Sequence, residues 1–351
     1  MKLARLLPDL SPAREHPAFR RLLAGGLLSM LGSSMTSFAV VLQVWDLSRS
    51  SLAVGLLGLT FVPVLLVGLL GGSAADVVDR RKLALVTSTC LMAVSAAFAA
   101  QAYAGLGLLW PLYLLAMVQA VLQAASAPAR RTFVPRLVPP DQLTAAIALN
   151  TLSGRITMLF GPALAGLIAA AWGLKTCYAV DTVSFVASLY ATARLPAMRP
   201  LGHEASRRRP SLRATVDGLR FIARRPLLVA AFLTDLDAML LGLPVALFPA
   251  LNAAHFGGSP RTLGLLNAAV GVGGLLSAAL SGPVARVSRV SSVEYIIGTG
   301  GGPLGSVESG TVASLTTPAV SAVSGGLGCL AIAALIGLLY PAFARYRAAA
   351  G

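Results

Sequence analysis

The sequence predicts an all-α, multi-pass membrane protein of about ten transmembrane helices, six before a basic linker and four after it. Three observations support this class. Of 351 residues, 56% are hydrophobic and only 12% charged, and the mean hydropathy is +0.78; soluble domains carry about 25% charged residues. Apolar runs of the ~20 residues a helix needs to cross a bilayer recur along the whole length. Lys and Arg concentrate in the short segments between alternate runs, where they orient the helices.

The runs follow in order. After a basic arm (Lys2, Arg5, Arg14, Arg20, Arg21), run one extends to about Trp45, and Asp46 to Ser50 forms a turn. Run two covers about Leu52 to Ala75. The charged turn Asp76-Val77-Val78-Asp79-Arg80-Arg81-Lys82 separates it from run three, which ends near Tyr103. Run four reaches about Ala127, and a loop with Arg130, Arg131 and Arg136 closes on Pro139-Pro140-Asp141. Run five spans about Thr144 to Trp172 and run six about Cys177 to Ala193. Nine arginines then crowd residues 194–225, whose last part suits an amphipathic helix on the membrane surface. Runs seven to ten cover about Leu227 to Ala254, Thr262 to Ala285, Val290 to Ala313 and Pro318 to Tyr340. The division is a first bundle at 1–193, a cytoplasmic linker at 194–225 and a shorter bundle at 226–351. With the N-terminus inside and strict alternation, roughly 24 of the 28 Lys and Arg residues fall on cytoplasmic segments, so both termini are expected there.

The same distribution explains the net charge of +15 as helix orientation and argues against nucleic-acid binding. Cys90, Cys177 and Cys329 lie far apart inside apolar runs, and the three histidines are scattered; neither set suggests a metal site or a disulfide framework. Gly300-Gly301-Gly302-Pro303-Leu304-Gly305 fits G-x-G-x-x-G but follows no strand, and no phosphate-binding Walker loop is present. Asp235-Leu236-Asp237 has no second acidic cluster to complete a metal centre. No cofactor is expected.

Charge inside a bilayer is costly and marks functional or pairing positions. Asp235 lies roughly 12 Å into run seven and Arg155 roughly 16 Å into run five, comparable depths. Asp235 is expected to face a central cavity with Arg155 near it, either taking up a proton or pairing structurally with that arginine. Asp237, about 200° further round the helix, faces elsewhere. Asp181 and Glu308, near the outer ends of their runs, suit a gate or a packing contact better than coupling. Gln43, Gln119, Gln123, Asn150 and Asn267 are candidate cavity lining. Glycines four residues apart, such as Gly301 and Gly305, permit close helix packing.

With its charged turn placed between runs two and three, the chain resembles the major facilitator superfamily, in the branch of enterobactin-exporter and macrolide-efflux permeases. The family's loop motif is matched at Gly72, Ala75, Asp76, Arg80 and Arg81, with Val77 and Asp79 departing from it. Run five carries Gly154 and Gly161-Pro162-Ala163-Leu164-Ala165-Gly166, similar to the family's antiporter-type helix bend. Run seven continues past Asp235 to Pro244-Val245-Ala246-Leu247-Phe248-Pro249 in the style of that branch. The resemblance implies a major-facilitator-type helical bundle and proton-coupled efflux of small amphiphilic molecules (drugs or siderophores) by alternating access. It also implies a monomer in the bacterial inner membrane, with Asp76, Arg80 and Arg81 acting as a gating clasp. The partners are then a small-molecule substrate, protons and lipid, and the protein is no enzyme. The segment after Arg289 looks like the start of the family's eleventh helix, so two helices of the second half are missing. A transport-inactive, shortened remnant is the alternative, and an integral-membrane enzyme a weaker one.

Overall fold

The computed structural model describes residues 9–64, 79–196, 220, 223–280 and 291–341. Among these residues the regular structure is helical throughout. The short α1 (Ser11–Glu15) precedes α2 (Pro17–Ser48). α3 (Ser51–Val64) tightens to a 3₁₀ turn at Leu57–Thr60. Then come α4 (Arg80–Ala104), α5 (Trp110–Arg131), α6 (Val134–Leu137), α7 (Leu143–Trp172) and α8 (Leu174–Ala193). The remaining helices are α9 (Pro226–Leu240), α10 (Phe248–His255), α11 (Pro260–Leu280), α12 (Ser291–Leu315) and α13 (Pro318–Leu339). Six described helical stretches are long and apolar enough to cross a membrane: α2, α4, α5 with α6, α7, α9 with α10, and α13. They match expected runs one, three, four, five, seven and ten to within a few residues, apart from the added α6. The gating positions Gly72 and Asp76, and nearly all of the basic linker, lie outside the described residues.

Local chemistry sets the helix ends. Asp79 caps α4, its side chain accepting from Arg81 N–H at 2.8 Å and Lys82 N–H at 3.4 Å. Ser50 and Thr317 cap α3 and α13 in the same way. Gly105, at φ 64°, closes α4 in the left-handed conformation that suits glycine.

Contacts divide the chain into two compact units. The first holds Met1–Gln43, Leu70–Arg209 and Pro260–Leu275; the second holds Val44–Leu69, Pro210–Ser259 and Leu276–Gly351. This grouping cuts across the division at 193 and 226, because α3 packs on α12 and the start of α11 packs on α7.

Antiparallel seams of small residues hold each unit. In the first unit a Cβ on Gly166 would lie 2.6 Å from Pro260 O and 2.9 Å from Gly264 Cα, and a Cβ on Gly264 would lie 2.6 Å from Pro162 O. Seven residues along, a Cβ on Gly271 would lie 3.0 Å from Met158 O. That carbonyl lost its helical donor because Pro162, four residues on, has no N–H; a glycine backbone there lets α11 come close to it. In the second unit a Cβ on Gly310 would lie 2.6 Å from Ser51 O and 3.1 Å from Gly55 Cα. One on Gly305 would lie similarly close to Met239 O and Leu240 O. Between α2 and α8, Gly25 faces Ala187 and Ala191, and Gly32 faces Asp181 and Ser184. Without a hydrophobic drive between helices in lipid, such contacts supply dispersion and backbone approach.

A matched pair tests the α2–α8 seam. Gly32→Ala places a methyl against Asp181 and Ser184 and is expected to cost about 1–3 kcal/mol by overpacking. Gly26→Ala meets nothing within 4 Å and should be neutral. Thermal unfolding in detergent should separate them by several degrees.

Candidate functional site

The first unit holds a partly open chamber of about 720 Å³, within the range that holds a drug-sized molecule. α2 lines it with Ser29, Ser33, Ser34 and Ser37, on one face because Ser29, Ser33 and Ser37 repeat at i, i+4. α5 adds Gln123, Ser126, Arg130 and Arg131, and α7 adds Ile147, Asn150 and Thr157. Phe133, Val134 and Phe185 supply apolar wall. Arg130 and Arg131 bring charge to the space, and no Asp or Glu is among its described lining residues. Arg130 Nη2 donates to Ser88 Oγ at 2.8 Å, and Ser88 Oγ in turn donates to Ala84 O at 2.6 Å. The guanidinium is thus held in place by a neutral group.

Behind the serine face sits Asp181 of α8, 0% exposed. Its carboxylate accepts from Thr36 Oγ1 at 2.7 Å, Ser95 Oγ at 2.9 Å, Ser33 Oγ at 3.4 Å and Ser184 Oγ at 3.5 Å. Hydroxyls from α2 and α4 therefore meet one carboxylate on α8, and Ser33 both lines the chamber and touches that group. Further along the same three helices, Gln43 and Gln101 exchange amide hydrogen bonds at 3.1 and 3.0 Å, and Tyr178 Oη donates to Gln43 Oε1 at 2.8 Å. The Tyr178 ring stacks on Phe98 with centroids 5.3 Å apart. Gln43 is thus part of an interhelical lock, whereas Gln123 and Asn150 do line the chamber.

The acids of α9 separate as their spacing predicts. Asp235 is exposed, and Asp237 is 6% exposed with neither carboxylate oxygen hydrogen-bonded. The Cys329 thiol lies beside Asp237 without hydrogen-bond geometry. Arg155 is exposed on α7, and a Cβ on Gly274 of α11 would lie 3.9 Å from its Nη1. Of the helix-bend residues, Gly161 lies tight against Ser34 and Gly166 forms the α11 seam, while Gly154 touches only the tip of Met30, at 3.9 Å. Pro162 sits inside a continuous α7. At the loop motif, Asp79 rather than Asp76 immediately precedes α4 and takes the capping role. Arg81 Nη2 donates to Ala193 O at 2.6 Å, tying α4 to α8; Arg80 is the first residue of α4. No three His, Cys, Asp or Glu among the described residues gather into a metal-sized cluster.

Sequence reasoning missed the serine face and Arg130. Serines at i, i+4 in an apolar run were a visible signal. Arg130 read as loop charge because run four was ended at Ala127.

Removing the Asp181 acceptor strands hydroxyls between helices. At about 1 kcal/mol for each interhelical bond, Asp181→Ala is expected to destabilise by about 2–3 kcal/mol. Asp181→Asn, which keeps an acceptor, should cost less than half as much, read from detergent melting curves.

Comparison with known proteins gives the architecture a family. Residues 8–292 match the model of the transmembrane secretion effector family. The chain is 28% identical over 283 residues to the uncharacterized MFS-type transporter YfiS of Bacillus subtilis (strain 168), covering 76% of this chain and 66% of the relative. It is 29% identical over 294 residues to the enterobactin exporter EntS of Shigella boydii serotype 18, covering 81% and 67%. The chain thus spans about two thirds of the length of these relatives. Among solved structures, a bacterial homologue of the iron transporter ferroportin in an inward-facing state superposes with a TM-score of 0.58 at 15% identity, over 94% of this chain and 99% of that one. The nucleoside transporter NupG gives 0.59 at 13% identity, over 94% and 100%. These two likenesses concern the fold alone. The chain belongs to the transmembrane secretion effector family of the major facilitator superfamily, a family of membrane transporters rather than enzymes.

Proposed function

We propose that this chain exports small amphiphilic molecules across a bacterial inner membrane, driven by proton entry, through alternating access. The observation that carries the proposal is the 720 Å³ chamber, part polar and part apolar, built among helices long enough to cross a membrane. The relative named an enterobactin exporter supports outward transport. The arginine distribution supports both termini in the cytoplasm, and a monomer suffices because the chamber is lined within one unit of one chain.

Asp237 is the proton carrier in this account, chosen over Asp235, Asp181 and Arg155. A carboxylate buried inside a membrane helix, with only the weak thiol donor of Cys329 beside it among the described residues, is poorly satisfied until a proton or a moving cation arrives. Asp181 is already satisfied by hydroxyls. Asp235 is exposed. The loop with Gly72, Asp76, Arg80 and Arg81 acts as a clasp for one state of the cycle. The second proposal is a shortened remnant that folds without transporting, and it is supported by the two-thirds span of the relatives.

Proteoliposomes separate these accounts. Under an imposed pH gradient, wild type should move at least one of two fluorescent probes, cationic rhodamine 6G or anionic carboxyfluorescein. Asp237→Asn should lose gradient-driven accumulation while keeping probe-for-probe exchange, and Asp235→Asn should keep both. Full gradient-driven transport by Asp237→Asn removes the proton role. No movement of either probe by folded wild type favours the remnant.

A further inference from the structure

The chamber is charged on one side of the ledger only. Among the described residues its lining includes the guanidinium of Arg130 and no carboxylate. Asp181, which the lining residue Ser33 reaches, is fully buried and occupied by hydroxyl donors. Arg130 has a neutral partner, Ser88, which holds one of its nitrogens. A guanidinium at the edge of a hydrocarbon layer is costly without a counter-charge. It presents several donors in a planar fork that matches the oxygens of a carboxylate, sulfonate or phosphate. Since no described side chain lining the chamber provides that anion to Arg130, a ligand is the natural source.

The rest of the lining fits the remainder of such a ligand. Ser29, Ser33 and Ser37 place hydroxyls about 6 Å apart along α2, one helical turn each. Each already donates its one hydrogen, Ser29 to Gly26 O, Ser33 to Asp181 and Ser37 to Ser33 O, so the face offers acceptor lone pairs that suit a row of ligand hydroxyls. Phe133 and Phe185 offer apolar wall for a hydrophobic body.

We infer that the chamber binds an amphiphilic organic anion, its acidic group at Arg130 and its hydroxyls along the serine face. The inference rests on the export proposal for calling that ligand a substrate. The same acid chemistry is found on a phospholipid headgroup, and the test separates the two sources.

Wild-type protein in phosphatidylcholine nanodiscs is titrated with carboxyfluorescein and, separately, with rhodamine 6G, reading fluorescence anisotropy. Carboxyfluorescein should bind saturably and the cation should not. Arg130→Gln should weaken the anion at least tenfold, Arg130→Lys, which keeps the charge but loses the fork, should fall between that variant and wild type, and Val183→Ala, on an exposed apolar position of α8, should leave it unchanged. Circular dichroism and melting curves confirm that each variant is folded. Saturable binding of the cation alone, or unchanged anion affinity in folded Arg130→Gln, overturns the inference. If phosphatidylglycerol in the nanodisc abolishes anion binding to wild type, the site belongs to a lipid headgroup and the free solute is ruled out. Gradient-driven rhodamine 6G transport without anion binding would leave export standing and sink this inference. Anion binding without any transport would do the reverse.

Discussion

Hydrocarbon offers no hydrogen bonds, so every polar group carried into the membrane must be answered by the protein itself. This constraint orders the first unit. Asp181 is answered by Thr36, Ser95 and Ser33, Gln43 by Gln101 and Tyr178, and Arg130 by Ser88. Each answer joins separate helices, so satisfying the polar groups also fixes how α2, α4, α5 and α8 pack. Where an answer is missing or incomplete, at Asp237 and at the charge of Arg130, a proton or a ligand can complete it. Structure and transport thereby draw on one rule.

The glycine seams complement that rule. Polar clusters hold α2, α4 and α8 at fixed points, whereas the α7–α11 and α3–α12 contacts are made of backbone on backbone. Backbone seams have shallow relief, because no long side chain interlocks across them. A transporter that must shift helices between states needs surfaces of both kinds, locked ones to keep a bundle intact and smooth ones to slide. Pro162 adds to this at α7, freeing a carbonyl that the glycine of α11 accommodates.

Much of the architecture was legible in the sequence because a membrane imposes a coarse, length-based code. The ends of α4, α7 and α13 fall within a few residues of runs read from apolar length alone, and the loop and helix motifs identified the family. The two-residue spacing of Asp235 and Asp237 correctly implied different surroundings, although not which of them is buried. That depends on how α9 is rotated against α12 and α13, which spacing within one helix does not encode. The Asp181 cage was equally hidden: its donors from other helices lie more than 80 positions away, on α2 and α4. The cap at Asp79 was hidden because α4 starts at Arg80, inside the charged turn and ahead of its apolar stretch. Arg130 was misplaced for a matching reason, since α5 runs past the end of its apolar stretch.

The central claim is that the serine face of α2 borders a water-filled chamber inside the membrane span. Cysteine accessibility tests it most directly, in intact vesicles and with Cys90, Cys177 and Cys329 replaced. Cysteines introduced at Ser37 and Asn150 are expected to react with a water-borne, charged thiol reagent far faster than one introduced at Val183, an exposed apolar position on α8. Equal, slow labelling at all three positions would show that the face is dry and would contradict the account.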